Sequence, residues 1–197
     1  MQTGTAILDI RQTSIPAVKV LTPRRFGDDR GWFSETWNRQ ALCDSGIDLE
    51  FVQDNHSLSA QVGTLRGLHF QGPPRAQAKL VRVTRGRVVD VAVDARVGSP
   101  TFANWVAEEL SAANGRQLLV PVGFLHGFMT LEPETEVLYK CSDFYAPECD
   151  GVVRFDDADL AIDWGLPADR MHLSAKDAAA PSWREFVSPF VHVRGRA

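Results

Sequence analysis

Cysteine is scarce in this chain of 197 residues. Cys43, Cys141 and Cys149 are the only three, an odd number at no metal-like spacing. That argues against a disulfide scaffold and suits a reducing cytoplasm. Long apolar runs are missing as well. No stretch approaches the roughly 18 consecutive apolar residues of a membrane span, and residues 1–16 lack the basic start and apolar middle of a secretory leader. Positive charge is in deficit: Lys+Arg is 21 against Asp+Glu 25, a formal charge of −4. A nucleic-acid binder working by bulk charge has the opposite sign. There is no G-x-G-x-x-G, no P-loop and no G-x-S-x-G, so nothing signals a bound dinucleotide, NTP hydrolysis or a nucleophile elbow. The chain does hold 44% apolar residues, enough for a core and too many for wholesale disorder. Its length suits one domain, residues 1–197.

Helical periodicity is nearly absent. Only residues 38–45, closed by Gly46, read as a short helix with a C-terminal glycine. Short β-type segments recur instead, at 18–22, 32–37, 50–57, 64–70, 79–84, 88–94, 104–109, 117–120, 124–131, 135–142 and 152–155. Glycine- and proline-bearing turns separate them. Eleven short strands at this spacing predict an all-β fold, an antiparallel sandwich or jelly roll with a few short helices. Alternation sets Phe124, His126, Phe128 and Thr130 on one face, Val137, Tyr139 and Cys141 on another, and Lys79, Val81 and Val83 on a third. Such faces predict an apolar barrel interior holding a few polar groups, the form of a small-molecule site. The segment after Leu160 is irregular and is expected to lie across the barrel mouth, covering Trp164 and Trp183.

The most unusual stretch, residues 63–71, places Arg66 and His69 in an apolar strand. Strict alternation sends these two to opposite faces, but Gly67 between them permits a bulge that re-aims one side chain. A structural histidine at a strand end is the plain alternative. Lys79 is one of only four lysines, against 17 arginines, and opens an apolar strand; a compact, tunable ammonium is one reason to use lysine there, and a surface lysine is the other reading. Residues 121–126 feed His126 into a strand. Tyr139 sits in a buried-looking strand, where a tyrosine often does no more than satisfy its hydroxyl. Lys176 and Asp177 stand in a loop of small residues, which also reads as a solvated loop or a helix N-terminus. Taken together, the residue types suggest one reaction. A histidine takes a proton near neutral pH, and a carboxylate such as Asp177 orients the imidazole. Lys79 stabilises an oxyanion, and Tyr139 donates a proton from the other side. That is epimerisation next to a carbonyl through an enolate, provided the residues converge.

From about Thr22 to Pro181 the chain resembles the dTDP-4-dehydrorhamnose 3,5-epimerases of bacterial deoxysugar synthesis. The motifs that carry the likeness are DRGWFSE at 29–35, FVQDNHS at 51–57, LRGLHFQ at 65–71, QAKLVR at 77–82 and DVAVD at 90–94. SPTF at 99–102, P-x-GF-x-HGF at 121–128, LYK at 138–140 and SAKDAAAP at 174–181 continue it in order. The resemblance implies a cupin-type jelly roll, a homodimer, no cofactor and no metal. It implies conversion of dTDP-4-dehydro-6-deoxy-D-glucose to dTDP-4-dehydro-L-rhamnose. By motif position His69 resembles the family's base, Asp177 its partner, Tyr139 the acid on the opposite face, and Lys79 the group facing the C4 oxygen. Arg30, Glu35, Gln53, Asn55, Arg66, His126 and Lys176 fall on substrate-contacting positions, with Arg30 and Glu35 reaching into the neighbouring subunit's site. Asp150 stands where the family more often has Glu, with Glu148 beside it as a possible stand-in. The residues after Pro181 match nothing in the family pattern.

Three alternatives compete. A metal-dependent cupin needs more ligands than the chain's motifs supply, since His69-Phe70-Gln71 lacks the second histidine of His-x-His. A sibling enzyme that inverts only C3 or only C5 can share the whole catalytic set. A non-catalytic sugar-nucleotide module needs the pocket but not the base.

Overall fold

A computed structural model describes residues 7–193. Thirteen strands form among them: β1 (Leu8–Gln12), β2 (Lys19–Pro23), β3 (Phe26–Asp28), β4 (Gly31–Phe33), β5 (Gln53–Ser59), β6 (Leu65–Gln71), β7 (Lys79–Arg85), β8 (Arg87–Asp94), β9 (Trp105–Ser111), β10 (Gln117–Val120), β11 (Phe124–Thr130), β12 (Thr135–Cys141) and β13 (Asp150–Val152). Two sheets stack, in the orders β1-β2-β10-β7-β12-β5 and β13-β6-β11-β8-β9, and β3 pairs with β4 as a separate hairpin. All of these strand pairs are antiparallel. This is the expected all-β jelly roll.

The period of two builds three apolar layers. Val81, Val88, Leu118, Phe124, Phe128 and Val137 close the core between the sheets. The alternate residues of the second sheet, among them Leu68, Val91, Leu125 and Met129, point out the other side and meet Val153, Trp164 and Phe190. Helix α1 (Arg39–Asp44) lays Leu42 over the outer face of the first sheet, against Leu21, Leu80 and Leu119. Its start is fixed by Asn38, whose Oδ1 accepts from the amides of Gln40 and Ala41 at 2.9 and 3.2 Å. Each large side chain buried in these layers contributes roughly 1.5–3 kcal/mol. Among the described residues no helix is long and apolar enough to cross a membrane.

Two expectations need correction. The segment after Leu160 does not lie mainly across the mouth: Leu160, Trp164, Trp183 and Phe190 cover the outer face of the second sheet. An apolar sheet face that no helix covers needs this cladding, and only residues 172–177 turn inward to the mouth. The expected strand at 32–37 is in fact the second half of the β3–β4 hairpin plus a coil. Its aromatic residues do not enter the core: Trp32 is 59% and Phe33 69% exposed.

Candidate active site

The site begins with a register fault. On β11 His126 pairs with His69 of β6, but Phe128 pairs with Arg66. One residue of β11 therefore faces two of β6, Gly67 and Leu68. The extra residue lets Arg66 and His69, three apart, line the same cavity. Only glycine fits the bulge. Gly67 has φ +139, and a Cβ there would sit 2.5 Å from the Cα of Gly127 across the ladder.

His69 Nε2 lies 2.5 Å from Asp177 Oδ1. Asp177 is buried in the one-turn helix α2 (Ala175–Ala178), whose start is capped by Ser174. The Ser174 hydroxyl donates to the other carboxylate oxygen at 2.8 Å. Burial opposes ionisation of this carboxyl, yet the hydrogen bond and charge of His69, with Ser174, hold it below the ordinary aspartate value. An ionised carboxylate only accepts, so Nε2 carries the hydrogen that points at Asp177. Asp177 thus fixes the orientation of the imidazole.

The opposite wall comes from the other sheet. Tyr139 on β12 and Lys79 on β7 line the same two lobes as His69, with volumes of about 330 and 480 Å³. Lys79 Nζ stands 5.8 Å from the centre of the Tyr139 ring. Burial raises the Tyr139 phenol above its ordinary value, with Cys141 adding to the effect and Arg66 opposing it. Burial drives the Lys79 ammonium the other way, below the ordinary lysine value, against the pull of Cys141, Asp150 and Asp90. Both groups are half-buried in the same barrel.

The remaining predicted residues divide. Gln53, Asn55, Asp150 and Lys176 line the first lobe. Gln53 donates to Asn55 at 3.1 Å, and Lys176 is ion-paired with Asp150. Asp150 therefore reaches its partner without help from Glu148, which is exposed. Arg66 and His126 line the second lobe. Arg66 donates to Ser59 Oγ at 3.3 Å and to the Leu58 carbonyl at 3.2 Å. Arg30 and Glu35 are not brought in. Arg30 sits on the hairpin, 89% exposed and paired with Asp28 at 2.5 Å; Glu35 accepts from Asn38 at 2.9 Å beside α1.

Sequence reasoning missed Asp90. It is fully buried on β8, with Oδ1 2.9 Å from His126 Nε2 and Oδ2 without a partner. An acidic residue at an inward position of an apolar strand was the available signal. Tyr145 was missed as a lining residue of the first lobe, whereas Cys141 lines it beside Tyr139, the two sharing a face as alternation predicts. The interior is more polar than the expected apolar pocket. Among the described residues no group of three or more His, Cys, Asp or Glu is placed to hold a metal ion.

The dTDP-4-dehydrorhamnose 3,5-epimerase family model matches residues 12–185. This chain belongs to that family. A dTDP-4-dehydrorhamnose 3,5-epimerase of Sinorhizobium fredii is 50% identical over 181 residues, 92% of each chain. The crystal structure of the dTDP-6-deoxy-D-glucose-3,5-epimerase RmlC of Legionella pneumophila, in complex with dTDP-4-keto-L-rhamnose, matches with TM-score 0.89 and 43% identity. The match covers 94% of this chain and 100% of that one. ChmJ, a 3'-monoepimerase of Streptomyces bikiniensis in complex with dTDP-quinovose, matches with TM-score 0.80 and 32% identity, over 87% and 86% of the two chains. The family match ends at 185, yet Phe186 and Phe190 beyond it stand edge-on to Phe70, with ring centres 5.2 and 5.8 Å away. These residues brace the neighbour of the dyad histidine.

Proposed function

We propose that the protein epimerises C3 and C5 of dTDP-4-dehydro-6-deoxy-D-glucose, giving dTDP-4-dehydro-L-rhamnose. The single observation that carries this reading is the His69–Asp177 dyad on one wall of a cavity whose other wall bears Tyr139 and Lys79. The C4 ketone acidifies the hydrogens on both neighbouring carbons, so one base serves two centres. His69 Nδ1 takes the proton, and Asp177 stabilises the imidazolium that forms. The electron pair passes to the C4 oxygen, where Lys79 meets the negative charge. Tyr139 returns a proton from the opposite sheet, and the configuration inverts. A positioned base supplies a factor of ~10²–10⁴, and an oxyanion donor about 3 kcal/mol. Arg66 and Lys176 give an acidic protein the local positive charge that a diphosphate needs.

The working unit in this reading is a homodimer. Arg30 and Glu35 lie outside their own chain's cavity, on and beside a hairpin whose residues are all exposed. Seated on a second copy, the hairpin buries Trp32 and Phe33 and carries Arg30 to the neighbour's diphosphate.

The test is turnover of the 4-keto sugar nucleotide in heavy water. Deuterium at both C3 and C5 is the expected result. Label at one carbon assigns the chain to the single-centre enzymes, and no label removes the epimerase reading.

A further inference from the structure

The hairpin β3–β4 is held to the barrel at its root, and one side chain makes the most of that hold. The Arg25 guanidinium donates to the carbonyls of Ala112 and Ala113 at 2.5 and 2.8 Å, in the turn between β9 and β10. Its other face lies under the ring of Trp32, 4.2 Å from the centroid. One planar cation thus joins a carbonyl pair on the barrel to an aromatic ring on the hairpin. The turn it grips is rigid. Asn114 Oδ1 accepts from the amides of Ser111 and Arg116, and the Asn114 amide donates to Ser111 Oγ. The turn is also shaped for the guanidinium. Gly115, at φ +64, leaves the space the cation occupies, and a Cβ there would stand 2.9 Å from Arg25 Nη2. The side-chain hydrogen bonds of Asp28 and Arg30 close within the hairpin itself.

We propose that Arg25 is a positioning residue for the reaction: it latches the hairpin to the β9–β10 turn and thereby aims Arg30 at the substrate diphosphate in the partner subunit. This rests on the reading above that the hairpin serves a neighbouring site. Arg25 itself touches no substrate. It limits the directions the hairpin samples, so the cost of ordering Arg30 is met before the ligand arrives.

Three variants test this with steady-state kinetics and light scattering on the full chain. Arg25→Ala removes the latch, and Gly115→Ala displaces the guanidinium from the barrel side without touching the hairpin. Both are expected to raise KM about tenfold with kcat at saturation within about twofold of wild type, and both stay dimeric. A general loss of fold would lower kcat and the melting temperature instead of splitting KM from kcat. Arg30→Ala separates the two layers of the argument. If it raises KM while Arg25→Ala and Gly115→Ala do not, the latch is wrong and the hairpin reading stands. If it leaves KM unchanged, the hairpin reading fails and takes the latch with it. A fall of Arg25→Ala to monomer would also overturn the latch, in favour of a role in assembly.

Discussion

Arg66 and His69 face one cavity although they stand three positions apart on a strand, because β6 carries one residue more than β11 between the two. The whole site depends on that fault, and the fault depends on Gly67. Gly67→Ala meets both a positive φ and the backbone of Gly127. The expected loss is about 3 kcal/mol of stability, read by thermal unfolding. Activity falls further than the unfolded fraction explains, since any variant that folds moves His69 away from Asp177. A variant with wild-type melting and turnover would show that the bulge does not set the dyad.

His69→Ala removes the base but none of the diphosphate contacts. Turnover drops by a factor of ~10²–10⁴ or more, while dTDP affinity measured by titration calorimetry stays close to wild type. Retained turnover would remove the base assignment.

Tyr139→Phe keeps the ring and loses the proton. Inversion slows, yet hydrogen at C3 or C5 still exchanges with solvent, because abstraction by His69 does not need the phenol. Exchange and inversion falling in step would place Tyr139 in abstraction instead. A mutant as fast as wild type would end the acid assignment.

Alkaline pH separates Lys79 from Tyr139. A lowered ammonium value means Lys79 sheds its proton where an ordinary lysine, at 10.5, keeps it. A raised phenol value means Tyr139 holds its proton past the ordinary 10.0. As pH climbs, the Lys79 ammonium is lost below the ordinary 10.5, so support for the enolate oxygen fails on a basic limb of kcat that lies below that value. Solvent exchange in Tyr139→Phe keeps that limb. The same burial makes the folded protein gain stability as pH rises through the Lys79 value, because the unfolded chain holds that proton longer. Lys79→Met loses this gain and turnover, and melts roughly 5 °C higher at neutral pH.

Mixing a subunit that lacks the base with one that lacks Arg30, assayed at substrate far below KM where each alone is nearly inactive, tests the shared site. In a mixed dimer of His69→Ala and Arg30→Ala subunits, one site carries both defects and the other neither. Refolding the two together at equal amounts restores about a quarter of wild-type activity. No recovery would place Arg30 in its own subunit's site or outside the chemistry.

Strand content, the helix at 38–45 and the bulge at Gly67 were legible because period-two alternation, a closing glycine and a glycine in an apolar strand are local signals. The hairpin was not. Its aromatic residues carry the composition of a core, but among the described residues Trp32 and Phe33 stay largely exposed. The position of the last segment was hidden for a related reason: apolar residues in irregular sequence say that they are buried, not which face they cover. The dyad joins residues 108 positions apart; residue chemistry suggested the pair and the family motifs supported it, but only the fold brings the two together. Asp90 was legible in principle, as the acid on the inward face of β8, and its partner His126 was already in view.

The dyad carboxylate belongs to the stretch that clads the second sheet, near the end of the chain. During synthesis every strand leaves the ribosome before Asp177 does. A nascent chain that has already paired its sheets therefore holds an imidazole with no counter-charge, and catalytic competence waits until Asp177 itself has been made.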